Sequence, residues 1–159
     1  MKKLIILLLY IAVLQSCKEE LKSTNSVNVS FASEVSDMSK DGRLLLMFSN
    51  NDEKEPRFQI NDGLNGQLIF GVNVDAMAPR AAITFDDTVF GYPFSSLADV
   101  PPGEYNVQAL LNVYDALDFA TGQTVKRPMA NGDGQPWRRS PGKLYIKPIK
   151  LTLTATRDV

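Results

Sequence analysis

Between Tyr105 and Tyr114 the chain alternates more regularly than anywhere else. Tyr105, Val107, Ala109, Leu111 and Val113 fall on one face at period two, and Asn106, Gln108, Asn112 and Tyr114 fall on the other, with Leu110 the exception. That pattern predicts a half-buried antiparallel strand, one face on a core and the other toward solvent or a partner. Shorter segments repeat it. Val27, Val29 and Phe31 alternate with Asn28 and Ser30; Leu68 to Val74 alternates with Gly71 as a bulge position; Ile149, Leu151, Leu153 and Ala155 alternate with Lys150, Thr152 and Thr154. The continuous apolar run of residues 43–49 reads as a strand buried on both faces, although periodicity alone also allows a helix. Brief strands are expected at Phe58–Ile60, Ala82–Phe85 and Gln123–Lys126.

Turn chemistry separates these segments. Asp41-Gly42, Asn61-Asp62-Gly63, Gly91-Tyr92-Pro93 and Gly122 mark corners, Asn50–Pro56 is a charged loop, and Ser95–Asp99 fits one helical turn. Pro101, Pro102 and Gly103 form a corner that feeds Tyr105, which resembles the tyrosine corner of β-sandwiches. Residues 128–142 are rich in proline and glycine and read as loop. The expected fold is therefore an all-β, antiparallel sandwich of immunoglobulin-like or Greek-key type, with about seven or eight strands. Its core comes from alternate residues of 27–31, 44–48, 68–74, 105–113 and 149–155.

The first residues belong to none of this. Lys2 and Lys3 precede a short apolar stretch, Leu4 to Leu14, too short to span a bilayer about 30 Å thick. This is the pattern of a signal peptide. Leu14-Gln15-Ser16-Cys17 resembles a bacterial lipobox, with Gln15 a less common residue at its position. Cys17 is the single cysteine of the chain and has no disulfide partner, so lipid attachment accounts for it better than pairing does. The expected organisation is a signal peptide over 1–16, an acylated Cys17 with a polar tether over 17–26, and a β-sandwich domain over 27–159. Lys18-Glu19-Glu20 resembles the surface-export signal of some Gram-negative lipoproteins. The expected location is thus the cell envelope, at the outer membrane and facing its exterior if that signal operates.

Composition narrows the chemistry further. The chain of 159 residues contains no histidine, which rules out Ser-His-Asp and Cys-His catalytic sets and His/Cys zinc sites within it. No G-x-S-x-G elbow, P-loop or dinucleotide fingerprint is present. No basic excess suggests a nucleic-acid partner. Asp86 with Asp87, or Asp115 with Asp118, are the carboxylate pairs open to glycoside hydrolysis, and scattered acidic residues are open to calcium; solvated surface carboxylates is the reading adopted for both. No catalytic residue, metal or cofactor is expected.

Charge divides along the sequence. Residues 86–118 hold acidic groups and no Lys or Arg, whereas 126–150 hold Lys126, Arg127, Arg138, Arg139, Lys143, Lys147 and Lys150 against Asp133 alone. With Trp137 and Tyr145, this basic segment offers stacking and ion pairing to an anionic or sugar ligand, or else a surface that docks on the protein's own acidic strand. The candidate partner surface is Tyr114, Trp137, Arg138, Arg139 and Tyr145, set beside the uncharged outer face of the long strand. The alternative is that this loop folds back over the strand and covers it.

FGVNVD (70–75), GYPFSSLADVPPGEYNVQALLNVY (91–114) and GDGQPWRRSPGKLYIKP (132–148) resemble the N-terminal β-rich domain of secreted bacterial esterase-like proteins, related to enterochelin-type esterases. The resemblance spans roughly residues 40–156. In that family an α/β-hydrolase domain follows and carries the catalytic serine and histidine; here the sequence ends at Val159, and DALDFATGQT (115–124) lacks the histidines usual after the long strand. The resemblance implies an accessory module, with a hydrolase domain or protein of the envelope as its partner, and carries no catalytic residue onto this chain. Two functions follow as expectations: a lipid-anchored, non-catalytic binding or accessory domain, or a detached N-terminal domain acting with a separate hydrolase.

Overall fold

The computed structural model describes residues 26–63, 66–128, 138 and 142–154. Nine strands follow one another: β1 (Val27–Val29), β2 (Lys40–Ser49), β3 (Leu68–Met77), β4 (Ile83–Phe85), β5 (Gly91–Tyr92), β6 (Gly103–Asp118), β7 (Thr124–Pro128), β8 (Leu144–Tyr145) and β9 (Ile149–Leu153). Among the described residues there is no α-helix, only two 3-10 turns, at Pro56–Phe58 and Leu97–Asp99. Every pairing is antiparallel. The fold is the expected all-β sandwich.

β6 organises the larger sheet. Along one edge it pairs with β2, from Val113 opposite Gly42 to Asn106 opposite Ser49. On the other edge Gly103–Val107 pair with β9, and Leu110 and Leu111 pair with β8. Its far end, Tyr114–Asp118, folds back onto β7 as a hairpin. β2 continues the sheet to β3, and β3 to the short edge strand β5. β1 and β4 form a separate two-stranded sheet.

The period-two pattern sets the packing. Leu44, Leu46 and Phe48 of β2, Phe70 and Val74 of β3, and Val107, Ala109, Leu111 and Val113 of β6 share one buried face. β1 and β4 close that face with Val27, Val29, Ile83 and Phe85, helped by Leu97 and Val100 from the segment entering β6. Each fully buried aliphatic or aromatic side chain contributes roughly 1.5–3 kcal/mol relative to exposure. At the centre Phe48 makes edge-to-face contacts with Phe70 and Tyr105, both at 5.9 Å. Tyr105 also closes the expected corner, its hydroxyl donating to the Pro101 carbonyl at 2.9 Å. On the opposite face Leu45, Met47 and Leu110 form a smaller core with Ile60 and Ile69. The apolar run of β2 is therefore buried on both sides, as its sequence predicts.

Several local expectations are corrected. Phe58–Ile60 is no strand: Pro56, with φ fixed near the helical value, starts a 3-10 turn there. Asp41-Gly42 is no corner but lies inside β2, where the register against β3 shifts between Lys40 and Gly42. A Cβ on Gly42 would stand 2.4 Å from the Asn112 carbonyl oxygen, so the close approach of β6 requires glycine. Gly71 sits in regular register opposite Leu45 and is no bulge. Its missing side chain leaves room for Arg43, whose Nη1 donates to Asn73 Oδ1 at 2.9 Å. Gly91-Tyr92, expected as a turn, pairs with β3 as a two-residue edge strand. Ile149 is exposed although its alternation placed it in the core; Ala155 lies outside the described residues.

Candidate functional site

Along the middle of β6, from Gln108 to Asn112, the outer face does not meet solvent. Gln108 and Leu110 are fully buried and Asn112 nearly so. The loop after β2, with its 3-10 turn, lies across this face and β8 flanks it through Ile146, so of the two expectations for the face the covered one holds there and the open one does not. Polar groups make the closure possible, because the amides of Gln108 and Asn106 are matched. Gln108 Oε1 accepts the backbone N–H of Arg57 at 3.2 Å, and its Nε2 donates to Glu55 Oε2 and to the Ile146 carbonyl, both at 2.9 Å. Asn106 Nδ2 donates to the Asn51 carbonyl at 2.9 Å.

Arg57 completes the roof. Its guanidinium lies 3.8 Å from the centre of the Tyr145 ring and 4.6 Å from that of Phe58. Glu55 Oε2 stands 2.9 Å from Arg57 Nε, an ion-pair distance, but off the N–H axis, so this buried nitrogen has no aligned acceptor among the described residues. A buried arginine with one half-exposed carboxylate contributes through its packing and its partners more than through net Coulomb energy. Burial, and secondarily the charge of Arg57, hold Lys143 below the usual lysine range.

The residues singled out from the sequence therefore fare differently. Tyr145 stacks on Arg57, and Arg138 Nη1 donates to the Ile60 carbonyl at 3.4 Å, so both converge on the same loop. Tyr114 is half-buried where β6 enters its hairpin, opposite Pro128, roughly 13 Å along the strand from Leu110. Trp137, Arg139 and Cys17 lie outside the described residues. Glu55, Arg57 and the pivotal role of Gln108 were not singled out. The available signal was an amide in the middle of an otherwise apolar strand, which needs partners once buried.

The charge division also finds partners within the chain. Lys126 lies 3.1 Å from both Asp41 and Asp75, and Lys150 lies 2.8 Å from Glu104 on the neighbouring strand. The carboxylate pairs take local roles. Asp86 Oδ1 accepts from the Thr88 backbone N–H and hydroxyl, which hold its carboxyl below the usual range, and Asp118 Oδ1 accepts from the Thr124 hydroxyl. Asp115 and Asp118, three apart on one strand, project to opposite faces. Among the described residues no three His, Cys, Asp or Glu side chains are placed to hold a metal ion, and no helix is long and apolar enough to cross a membrane.

Two cavities stand out among the described residues. One, about 290 Å³, is apolar and lies between the segment from Val29 to Val35 and the β6–β8 pair. The other, about 580 Å³, is polar and opens at the corner end of β6. Asn50, Asn51, Glu53, Gln59 and Gln67 line it together with Phe94 and Tyr105. This second cavity combines amides, a carboxylate and aromatic side chains, the chemistry of directional recognition. No known family, curated protein or solved structure matches this chain.

Proposed function

We propose that this chain is a lipoprotein of the bacterial cell envelope, held by an acylated Cys17, whose β-sandwich binds a ligand or partner without catalysing a reaction. The observation that carries the anchoring is the arrangement Lys2-Lys3, Leu4–Leu14, Ser16-Cys17, followed by the polar residues 18–26 before β1 begins at Val27. Several acyl chains on one cysteine hold a protein stably at a membrane, whereas a single chain does so only marginally. The binding reading is supported by the polar cavity beside Tyr105, and the non-catalytic reading by a sequence without histidine.

Labelled palmitate tests the anchor. The wild-type chain should incorporate it and fractionate with membranes, and Cys17→Ser should lose both; equal labelling of the two refutes lipid attachment. Turnover of chromogenic esters or glycosides by the purified chain would overturn the non-catalytic reading. The accessory role implied by the esterase-like resemblance is the second reading, and the sequence stretches 70–75, 91–114 and 132–148 are its support. It predicts co-purification with an α/β-hydrolase; its absence from cross-linked envelope complexes counts against that role.

A further inference from the structure

The polar cavity at the corner end of β6 has a lining of definite chemistry. Its volume of about 580 Å³ lies in the range of small-ligand sites. No Lys or Arg is among its described lining residues, and Glu53 is its one ionisable carboxylate. A phosphate or carboxylate ligand would meet negative charge there without a compensating cation among the described lining residues. An apolar ligand would strand the amides, at a cost of about 1–3 kcal/mol for each polar group left unpaired.

The lining is also held in place. Asn51 Oδ1 accepts the Glu53 backbone N–H at 3.2 Å, Gln59 Nε2 donates to the Lys54 carbonyl at 2.6 Å, and Gln67 Oε1 accepts the Asn50 N–H at 3.1 Å. Tyr105 is fixed by its bond to Pro101 and its contact with Phe48. These bonds leave capacity over. Among the described residues the Asn50 amide nitrogen, the Gln59 amide oxygen and the Glu53 carboxylate engage no side-chain partner of their own. The lining residues thus hold a donor and acceptors in reserve, together with two aromatic residues. Vicinal hydroxyl groups, each both donor and acceptor, match that set.

We infer that this cavity binds a neutral oligosaccharide. The inference deepens the binding reading above and rests on it. A peptide shares part of this chemistry, but peptide capture by a sheet uses the main chain of an open strand edge, whereas residues of loops, with Leu68 and Tyr105 from strands, line this cavity.

The test uses the full chain, purified from membranes in detergent. It is applied to an array of neutral gluco-, manno-, xylo- and galacto-oligosaccharides, with sulfated and uronic-acid oligosaccharides and short peptides as further arms. Binding of at least one neutral series is expected. Asn50→Ala with Glu53→Ala should weaken it by about tenfold or more, the loss of roughly one hydrogen-bonding contact, with the melting temperature unchanged. Should that double variant unfold early, Glu53→Gln, which keeps the shape, should still weaken binding severalfold. Binding only to anionic sugars or to peptides, no binding at all, or unaltered affinity in a well-folded variant overturns the inference. Palmitate labelling and membrane fractionation are indifferent to all of these outcomes, so failure here leaves the anchoring intact.

Discussion

Gln108 Oε1 accepts the backbone N–H of Arg57 at 3.2 Å across 51 residues of chain, fixing a surface loop to the middle of the central strand. Its Nε2 meanwhile ties down Glu55 and Ile146, so one amide joins the β2–β3 loop, β6 and the end of β8. Gln108→Leu keeps comparable bulk and removes all three bonds, leaving a buried N–H and a carbonyl unsatisfied. Destabilisation of about 2–4 kcal/mol is expected, measured by thermal or denaturant unfolding. A change within 0.5 kcal/mol would mean that the loop is not anchored there.

Tyr145 separates a structural aromatic from a binding one. Its ring lies 3.8 Å from the Arg57 guanidinium. Tyr145→Leu should cost about 1 kcal/mol from the lost cation–π contact, and Tyr145→Phe close to nothing. Equal losses in both variants would assign the stabilisation to the phenolic hydroxyl instead.

Acid and alkali should each weaken the fold through identifiable groups. The Ala76 backbone N–H and Lys126 depress the Asp41 pKa, and Thr88 depresses that of Asp86. A depressed carboxylate contributes stability that is complete above its unfolded pKa, near 4, and lost as pH falls through the folded value. Asp41 and then Asp75 raise the Lys126 pKa, so its contribution is complete below the unfolded value near 10.4 and lost as pH rises through the folded one. Melting temperature against pH should fall below about pH 4 and above about pH 10. Asp86→Asn should flatten the acid limb and Lys126→Met the alkaline one.

Ala76 holds a left-handed conformation at φ 48° opposite the register shift of β2, and its N–H donates to Asp41 Oδ1 at 2.7 Å. A non-glycine residue in this region costs about 1–2 kcal/mol, offset in part by the greater unfolded-state freedom of glycine. Ala76→Gly should therefore raise stability by about 0.5–1 kcal/mol. A loss of stability would show that the Ala76 methyl makes a contact worth more than the strain.

The core was legible because alternation alone determines which residues of β2, β3 and β6 share a face. The Pro-Pro-Gly corner was legible because those residues restrict the backbone locally. The cover over β6 was legible only as one of two alternatives, and the part played by the loop after β2 was not. Its closure depends on Gln108 meeting the Arg57 N–H from a distant loop, and an uncharged amide reads equally as surface or as buried hub. Ile149 failed for the opposite reason: its alternation is regular, but β9 lies at the sheet edge, where nothing described covers that side chain. The polar cavity was missed because Asn50, Gln59 and Tyr105 converge only after the fold has formed.

Tyr105 links corner, core and cavity, and its substitutions divide the three. Its hydroxyl donates to the Pro101 carbonyl at 2.9 Å, and its ring meets Phe48 edge-to-face at 5.9 Å. Burial pushes its phenol pKa up, so the hydroxyl remains a donor through neutral pH. Tyr105→Phe removes only the corner bond, and water can reach the exposed Pro101 carbonyl, so a loss of about 0.5–1.5 kcal/mol is expected. Tyr105→Ala also removes the ring and leaves a gap beside Phe48, which raises the expected loss to about 3–5 kcal/mol. If sugar enters the cavity, Tyr105→Phe should keep most of the affinity, because the hydroxyl is already committed to Pro101 and the ring remains in place. Loss of binding in Tyr105→Phe without a matching loss of stability would instead mean that the hydroxyl leaves Pro101 to meet the ligand.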